Sequence, residues 1–141
     1  MREIQIATQE REAMIDVTRD VRRIVEDSGV REGVVVIQSV HTTLGVTVNE
    51  NADPDVQRDF LFHLGRMVPR DPNFVHGENN SDSHIKVSLT SPSLSLIVDN
   101  GDVLLGTWQG IYALEFDGPR RRRLYVQVVE TGGRGASEPI H

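Results

Sequence analysis

No cysteine occurs among the 141 residues. That excludes disulfides and thiolate metal ligands, and leaves His, Asp and Glu as the side chains for any metal site. The lack also fits a reducing compartment, so a cytoplasmic protein is expected. No stretch approaches the roughly 20 apolar residues that a membrane span needs, and the opening Met1-Arg2-Glu3-Ile4-Gln5-Ile6 has no signal-peptide-like apolar run. Neither a membrane nor a secretory route is therefore expected. Excess positive charge is missing too: the formal net charge is -6, which argues against nucleic acid as a partner. Repeats, linkers and domain boundaries are absent from the pattern. What is present is an ordinary globular composition, 38% hydrophobic and 26% charged. The length suits one domain with a real core. A single domain is read over residues 1–130, and 131–141, rich in glycine and without periodicity, reads as a loose C-terminal tail.

The elements follow from periodicity. Ile4 and Ile6 alternate with polar neighbours, as in a strand. Val17, Val21, Ile24 and Val25 recur at helical spacing from Asp16 to Ser28, with Gly29 as the C-cap. Residues 33–40, Gly-Val-Val-Val-Ile-Gln-Ser-Val, form a β-branched run that reads as a strand buried on both faces. Residues 44–49 alternate again. A second helix opens with Asp53 as N-cap and Pro54 at its first position, carries Val56, Phe60, Leu64 and Met67 along one stripe, and stops at Pro69. From Ile85 onward the pattern is β-rich: Val87 and Leu89 alternate, then Leu94, Leu96 and Val98. Asn100-Gly101 is a hairpin signal. Strands are expected at about 103–107 and 111–116, and a last one at about 122–130 with Leu124, Val126 and Val128 on one face. Two main helices and about eight strands give an α+β domain with a twisted, mostly antiparallel sheet, in two layers.

Between Val75 and Ile85 almost no apolar side chain occurs, so hydrophobic burial cannot fix the shape of Phe74–Lys86. A polar loop of this length is usually functional or disordered, and two of the five histidines lie in it, His76 and His84, with Glu78 and Asp82 between them. That spacing does not share a helix face, and a loop with a glycine and several Asn/Asp residues is not expected to persist as a helix. If the imidazoles converge, the loop must fold them together.

Other chemistry lies at strand ends. His41-Thr42-Thr43 closes the buried run, where a rigid base can present a catalytic group, or where a histidine simply caps a strand. Asn49-Glu50-Asn51-Ala52-Asp53 sits at a strand-to-helix junction; Asp53 is expected to cap, whereas Glu50 has no such role. Gly106-Thr107-Trp108-Gln109-Gly110 holds the only tryptophan. It offers a stacking surface for a planar heterocycle, although the local pattern favours a core tryptophan in a bulged hairpin. Arg120–Arg123 suits phosphate or pyrophosphate, or a solvated turn or subunit contact. Three imidazoles, His41, His76 and His84, with a nearby carboxylate, Asp82, make the best set for a divalent metal, most plausibly zinc.

These motifs carry a resemblance. His41-Thr42-Thr43, Val48 to Pro54, Phe74…His76…Asp82…His84-Ile85-Lys86 and Leu105 to Ile111 resemble, in order and spacing, the YjbQ-like family, known as secondary thiamine-phosphate synthases and formerly uncharacterised. The likeness spans about Glu3 to Val129. It implies a partly barrel-like β-sandwich with two main helices, and a homotrimer with sites near subunit interfaces. It also implies a metal or catalytic set at His41, His76 and His84, with Glu50 and Asp82 as accompanying carboxylates. On that footing His41, Glu50, Asp82 and His84 are the catalytic candidates, and Thr42, Asn51, Thr107, Trp108 and Gln109 the ligand-binding ones. The activity implied is weak thiamine-phosphate synthesis, in which an aminopyrimidine pyrophosphate is joined to a thiazole phosphate and pyrophosphate leaves. The alternatives are a hydrolase or transferase acting on another phosphorylated substrate, a non-catalytic trimeric module that binds a phosphorylated metabolite, and a structural trimer. One departure stands out. Where the family reads Glu-Gly-Asn, this chain has Gly77-Glu78-Asn79. Its turn must be made differently, with an asparagine in the left-handed conformation, which leaves Glu78 without an assigned role.

Overall fold

The computed structural model of the chain describes residues 1–132. The element order is β1 (Arg2–Ala7), β2 (Ala13–Asp16), α1 (Thr18–Ser28), β3 (Gly33–Ser39), β4 (Leu44–Glu50), α2 (Pro54–Met67), α3 (Ser81–Thr90), β5 (Ser93–Asp99), β6 (Asp102–Val103), β7 (Gln109–Glu115) and β8 (Arg121–Glu130). Two antiparallel sheets result, a five-stranded one in the order β1-β8-β3-β5-β6 and a three-stranded one in the order β2-β7-β4. The main core lies between the sheets and α1, and includes Val21, Val25, Val35, Ile37, Val46, Ile111, Ala113, Leu124 and Val126. A second cluster, Leu64, Val87, Tyr112, Leu114 and Phe116, joins the other face of β7 to α2 and α3. The α+β architecture expected from the pattern is the one observed.

Local chemistry sets most boundaries as expected. Asp53 accepts a hydrogen bond from the Asp55 amide ahead of Pro54. Gly29 ends α1 with φ 72°, and Asn100 and Gly101 turn the β5–β6 hairpin with φ 52° and 82°. Gly33 is required by proximity: a Cβ there would stand 2.2 Å from the Val129 carbonyl oxygen of β8.

Four expectations need correction. Residues 81–90 are a helix, α3, and not the continuation of a loop into a strand at Val87 and Leu89. The helix hides because its buried face is polar: Asp82, Ser83 and Lys86 face inward with Val87. Hydrophobic periodicity cannot report a helix docked through charge. Among the described residues there are thus three helices, and β2 is a strand in a stretch that the pattern left unassigned. The strand buried on both faces is β7, from Gly110 to Glu115; β3 alternates, with Val34 and Val36 half-buried on the outer side. Along α2 only Leu64 is buried, and Met67 is exposed. The tail from residue 133 on, with His141, lies outside the described residues.

Candidate functional site

Chain direction delivers His41 to one end of the sheets. β3 leaves the five-stranded sheet at Ser39, where its pairing with β8 stops at Leu124. β8 extends beyond that point, back to Arg121. The amide of Arg123 therefore loses its strand partner on that side, and it donates instead to Nε2 of His41, at 3.0 Å. The Ser39 hydroxyl accepts from the His41 amide at 3.1 Å and fixes the backbone that carries the ring. Burial, then the Arg122 and Arg123 guanidinium groups, hold the His41 pKa below the ordinary imidazole value, with Glu115 opposing them.

His84 reaches the same region from α3. The turn His76–Asn79 closes with the Asn79 amide on the His76 carbonyl at 3.1 Å, and Asn79 adopts φ 60°. This is the left-handed asparagine that the Gly77-Glu78-Asn79 order demands. It folds the His76 ring edge-on against His84, with centroids 5.2 Å apart and planes at 89°. The loop thus converges the two imidazoles, and only His84 rides on the helix. Nε2 of His84 is buried with no hydrogen-bond partner among the described residues, whereas His76 is half-exposed with Nε2 4.0 Å from Glu78.

Two clefts meet at His41. One, of about 410 Å³, is lined by Ser39, His41, Thr42, His84 and Ser88 among others. The other, of about 590 Å³, is lined by Glu3, Gln5, His41, Arg121, Arg122 and Arg123. Strand alternation explains the arginines. Arg121 and Arg123 share the exposed face of β8, and neither forms an ion pair among the described residues. Arg122 has the parity of Leu124 and Val126 and points into the core at 4% exposure. There its Nε donates to Glu115 at 2.9 Å and its guanidinium to the Thr43 hydroxyl at 2.7 Å. Glu115, fully buried, also accepts from the Thr8 hydroxyl at 2.7 Å and the Asp117 amide at 3.1 Å. Burial pushes its carboxyl pKa up, and these hydrogen bonds, that of Arg122 first, outweigh burial and hold it below the usual range. The pair lies under Thr43, two residues from His41. Sequence reasoning read the arginine run without separating its members, although the parity of β8 carried the signal.

The other candidates fall elsewhere. Asp82 is 1% exposed. Its carboxylate accepts from Arg11 at 3.1 Å and from Lys86 at 3.1 Å, while Lys86 also reaches Glu12 at 2.8 Å. Burial raises the Asp82 pKa, but those cationic hydrogen bonds prevail and lower it. In this chain Asp82 is the counter-ion that docks α3 on the segment before β2, and it lines neither cleft. Glu50 pairs with Gln109 at the far end of β4 from Leu44. Glu50, Asn51, Thr107, Trp108 and Gln109 therefore sit roughly 20 Å from the His41 end at the usual strand rise. Trp108 is 63% exposed and not a core residue. Gln109 closes the turn by accepting from the Gly106 amide at 2.8 Å.

Does the site suit a metal? The residues do not fit a three-imidazole zinc centre. A ligating histidine gives one nitrogen lone pair to the metal and donates N–H from the other. In His41 the Nε2 lone pair already accepts from a backbone N–H, so Nδ1 carries the proton. Among the described residues no group of three His, Asp or Glu side chains is placed to hold a metal ion. No helix among them is long and apolar enough to cross a membrane.

The titration of His41 has a measurable consequence. Because its pKa is lower in the folded than in the unfolded chain, the unfolded chain binds more protons as pH falls through the ordinary imidazole range. The associated stability is present above that range and lost below it, as protonated Nε2 can no longer accept from Arg123. Chemical denaturation followed over mildly acidic pH should show this loss, and a His41→Gln variant, whose amide oxygen can accept the same N–H, should lack that component.

Residues 2–131 match the family model described as UPF0047 protein YjbQ-like. The chain is 48% identical over 125 residues to the UPF0047 protein MJ1081 of Methanocaldococcus jannaschii, covering 89% of this chain and 91% of that one. It is 43% identical over 130 residues to the UPF0047 protein YugU of Bacillus subtilis, covering 92% and 98%. Among solved structures it is similar to an uncharacterised YjbQ/UPF0047 protein from Clostridium acetobutylicum, with TM-score 0.90, 46% identity and coverage of 92% and 100%. A protein of unknown function from Sulfolobus solfataricus gives TM-score 0.88 at 26% identity, covering 92% and 95%.

Proposed function

The chain belongs to the YjbQ-like UPF0047 family, and from that membership and the His41 geometry we propose an enzyme that displaces diphosphate from a small phosphorylated metabolite. The observation that carries this reading is the position of His41 at the wall shared by two clefts. One cleft brings Arg121 and Arg123, which form no ion pair among the described residues, and the other is lined by the His84 side chain. Arg121 and Arg123 suit the charge of a departing diphosphate. The imidazoles suit proton transfer near neutral pH. Thiamine-phosphate synthesis is the instance to test. The thiazole nitrogen attacks the methylene carbon of the aminopyrimidine pyrophosphate, the C–O bond breaks, and its electron pair leaves with pyrophosphate, whose leaving oxygen takes a proton from an imidazole N–H. No step is routed through a metal.

The same reading includes a cytoplasmic homotrimer. Support comes from the separation of the Trp108 end from the His41 end, which one chain cannot close. A second copy would have to bring Glu50, Asn51, Thr107, Trp108 and Gln109 to the histidine clefts. The exposed Val40, Ile97, Trp108 and Val129 supply apolar surface for such contacts.

Calorimetric titration with inorganic pyrophosphate, followed by product analysis with the two thiamine precursors, tests the proposal. Binding that weakens at least about tenfold in an Arg121→Gln/Arg123→Gln variant, together with product, is the expected result. Binding without product would replace the enzyme with a module that holds a phosphorylated metabolite. No binding and no product would sink both.

A further inference from the structure

We infer that His41 is held as the Nδ1–H tautomer by the backbone of β8, and that it offers the cleft a hydrogen-bond donor and not a metal ligand. The Arg123 N–H can only donate, so the ring atom 3.0 Å away must be a nitrogen with a free lone pair. That requirement also fixes the ring flip, which would otherwise be an assignment. A neutral imidazole has a single N–H, and it must then be on Nδ1. Among the described residues Nδ1 has no hydrogen-bond partner, so its proton is available to a ligand.

The anchor is built in by topology. β3 leaves the sheet at Ser39, β8 continues to Arg121, and the side chain of His41 takes the place of the missing strand carbonyl. Abandoning the bond to free Nε2 for a metal would leave the Arg123 amide without its partner, at a typical cost of an unmade hydrogen bond. The neighbourhood also opposes a dication, because Arg121, Arg122 and Arg123 line the cleft that His41 shares, against the single carboxylate of Glu3 there and the Glu115 already neutralised by Arg122. A donor on a residue that lines a cleft with two exposed guanidinium groups selects an acceptor: an anionic oxygen, as on a phosphate or carboxylate. This deepens the reading of a phosphorylated ligand, but stands apart from it.

The test is long-range proton–nitrogen NMR of the full-length protein with ¹⁵N-labelled histidine, near neutral pH. His41→Gln, which keeps an acceptor for the Arg123 amide, identifies the resonances. The expected result is a protonated Nδ1 and an unprotonated Nε2 for His41. Addition of one equivalent of zinc ion should leave both nitrogens unmoved, and zinc affinity should differ less than threefold between wild type and His41→Gln. An Nε2–H tautomer, a zinc-induced shift of either His41 nitrogen, or a loss of zinc affinity of tenfold or more in His41→Gln would overturn the inference. Inorganic pyrophosphate added to the same sample should move the Nδ1–H resonance. Absence of that shift would count against the phosphorylated-ligand reading while the tautomer and zinc results still decide this one, so the two fail separately.

Discussion

Glu115→Ala should cost the fold about 3–5 kcal/mol, the loss typical of removing one partner from a buried ion pair. The reason is what remains. Arg122 is 4% exposed and would keep its charge with no counter-ion among the described residues, since its other hydrogen-bond partner, Thr43, is neutral. The Asp117 amide would lose its acceptor in the same step, and the Thr8 hydroxyl would keep only the Arg120 carbonyl. Glu115→Gln keeps shape and part of the hydrogen bonding, so its loss should be smaller but still large. Replacing both partners with apolar residues of similar volume should recover much of the deficit, because the desolvation of two charges is then avoided. Denaturant unfolding with a double-mutant cycle measures this. A Glu115→Ala loss below about 1 kcal/mol would show that water reaches Arg122 and that the pair is not dry. Acid should mimic the substitution. The folded-state pKa of Glu115 lies below its unfolded value, so its contribution is present above the usual carboxylate range and lost as pH falls through the depressed value.

That pair also shows where the sequence was legible. The parity of β8 places Arg122 with Leu124 and Val126, so burial of one arginine from a run of four followed from a period of two. Its partner lies across the sheets and no local pattern names it. Most strands, α1, α2 and their caps were legible for a similar reason: apolar side chains repeat with the element, and Asp53, Gly29 and Asn100-Gly101 mark the ends with short-range chemistry, whereas β2 went unread and the strand expected at about 103–107 is only Asp102–Val103. α3 was not, because charge docks it. Lys86 and Asp82 are an i,i+4 pair that is buried with Arg11 and Glu12 rather than displayed to solvent. An amphipathic reading treats such residues as the outside of a helix or as a loop.

The site divides along the same line. Residue types and turn chemistry established that His76 and His84 could meet only if the 74–86 loop folded them together, and the turn with the left-handed Asn79 brings them edge to face. Distances along a strand were equally available. Glu50 and His41 lie at opposite ends of β4, so they had no short-range reason to meet within one chain. Which nitrogen of His41 is free was beyond reach, since it depends on how far β8 outruns β3.

His84→Ala should separate stability from function, with the larger effect on the latter. Nε2 of His84 is buried without a partner, and such a group typically costs about 1–3 kcal/mol while it stays unsatisfied. Removing the ring relieves that cost. It also deletes the edge-on contact with His76, worth about 0.5–1.5 kcal/mol in comparable aromatic pairs. The two oppose each other, so the unfolding free energy should fall by no more than about 0.5 kcal/mol and can rise by up to about 2.5 kcal/mol. Turnover has no such compensation. If His84 moves a proton in the displacement, its loss should lower kcat by about 10²–10⁴, with pyrophosphate affinity falling less because Arg121 and Arg123 remain. His84→Asn restores a polar side chain without a titratable nitrogen, and should recover binding before it recovers rate. A variant that unfolds would mark His84 as a packing residue. One that keeps full rate and full affinity would remove it from the site and leave the orphaned nitrogen a structural water's partner.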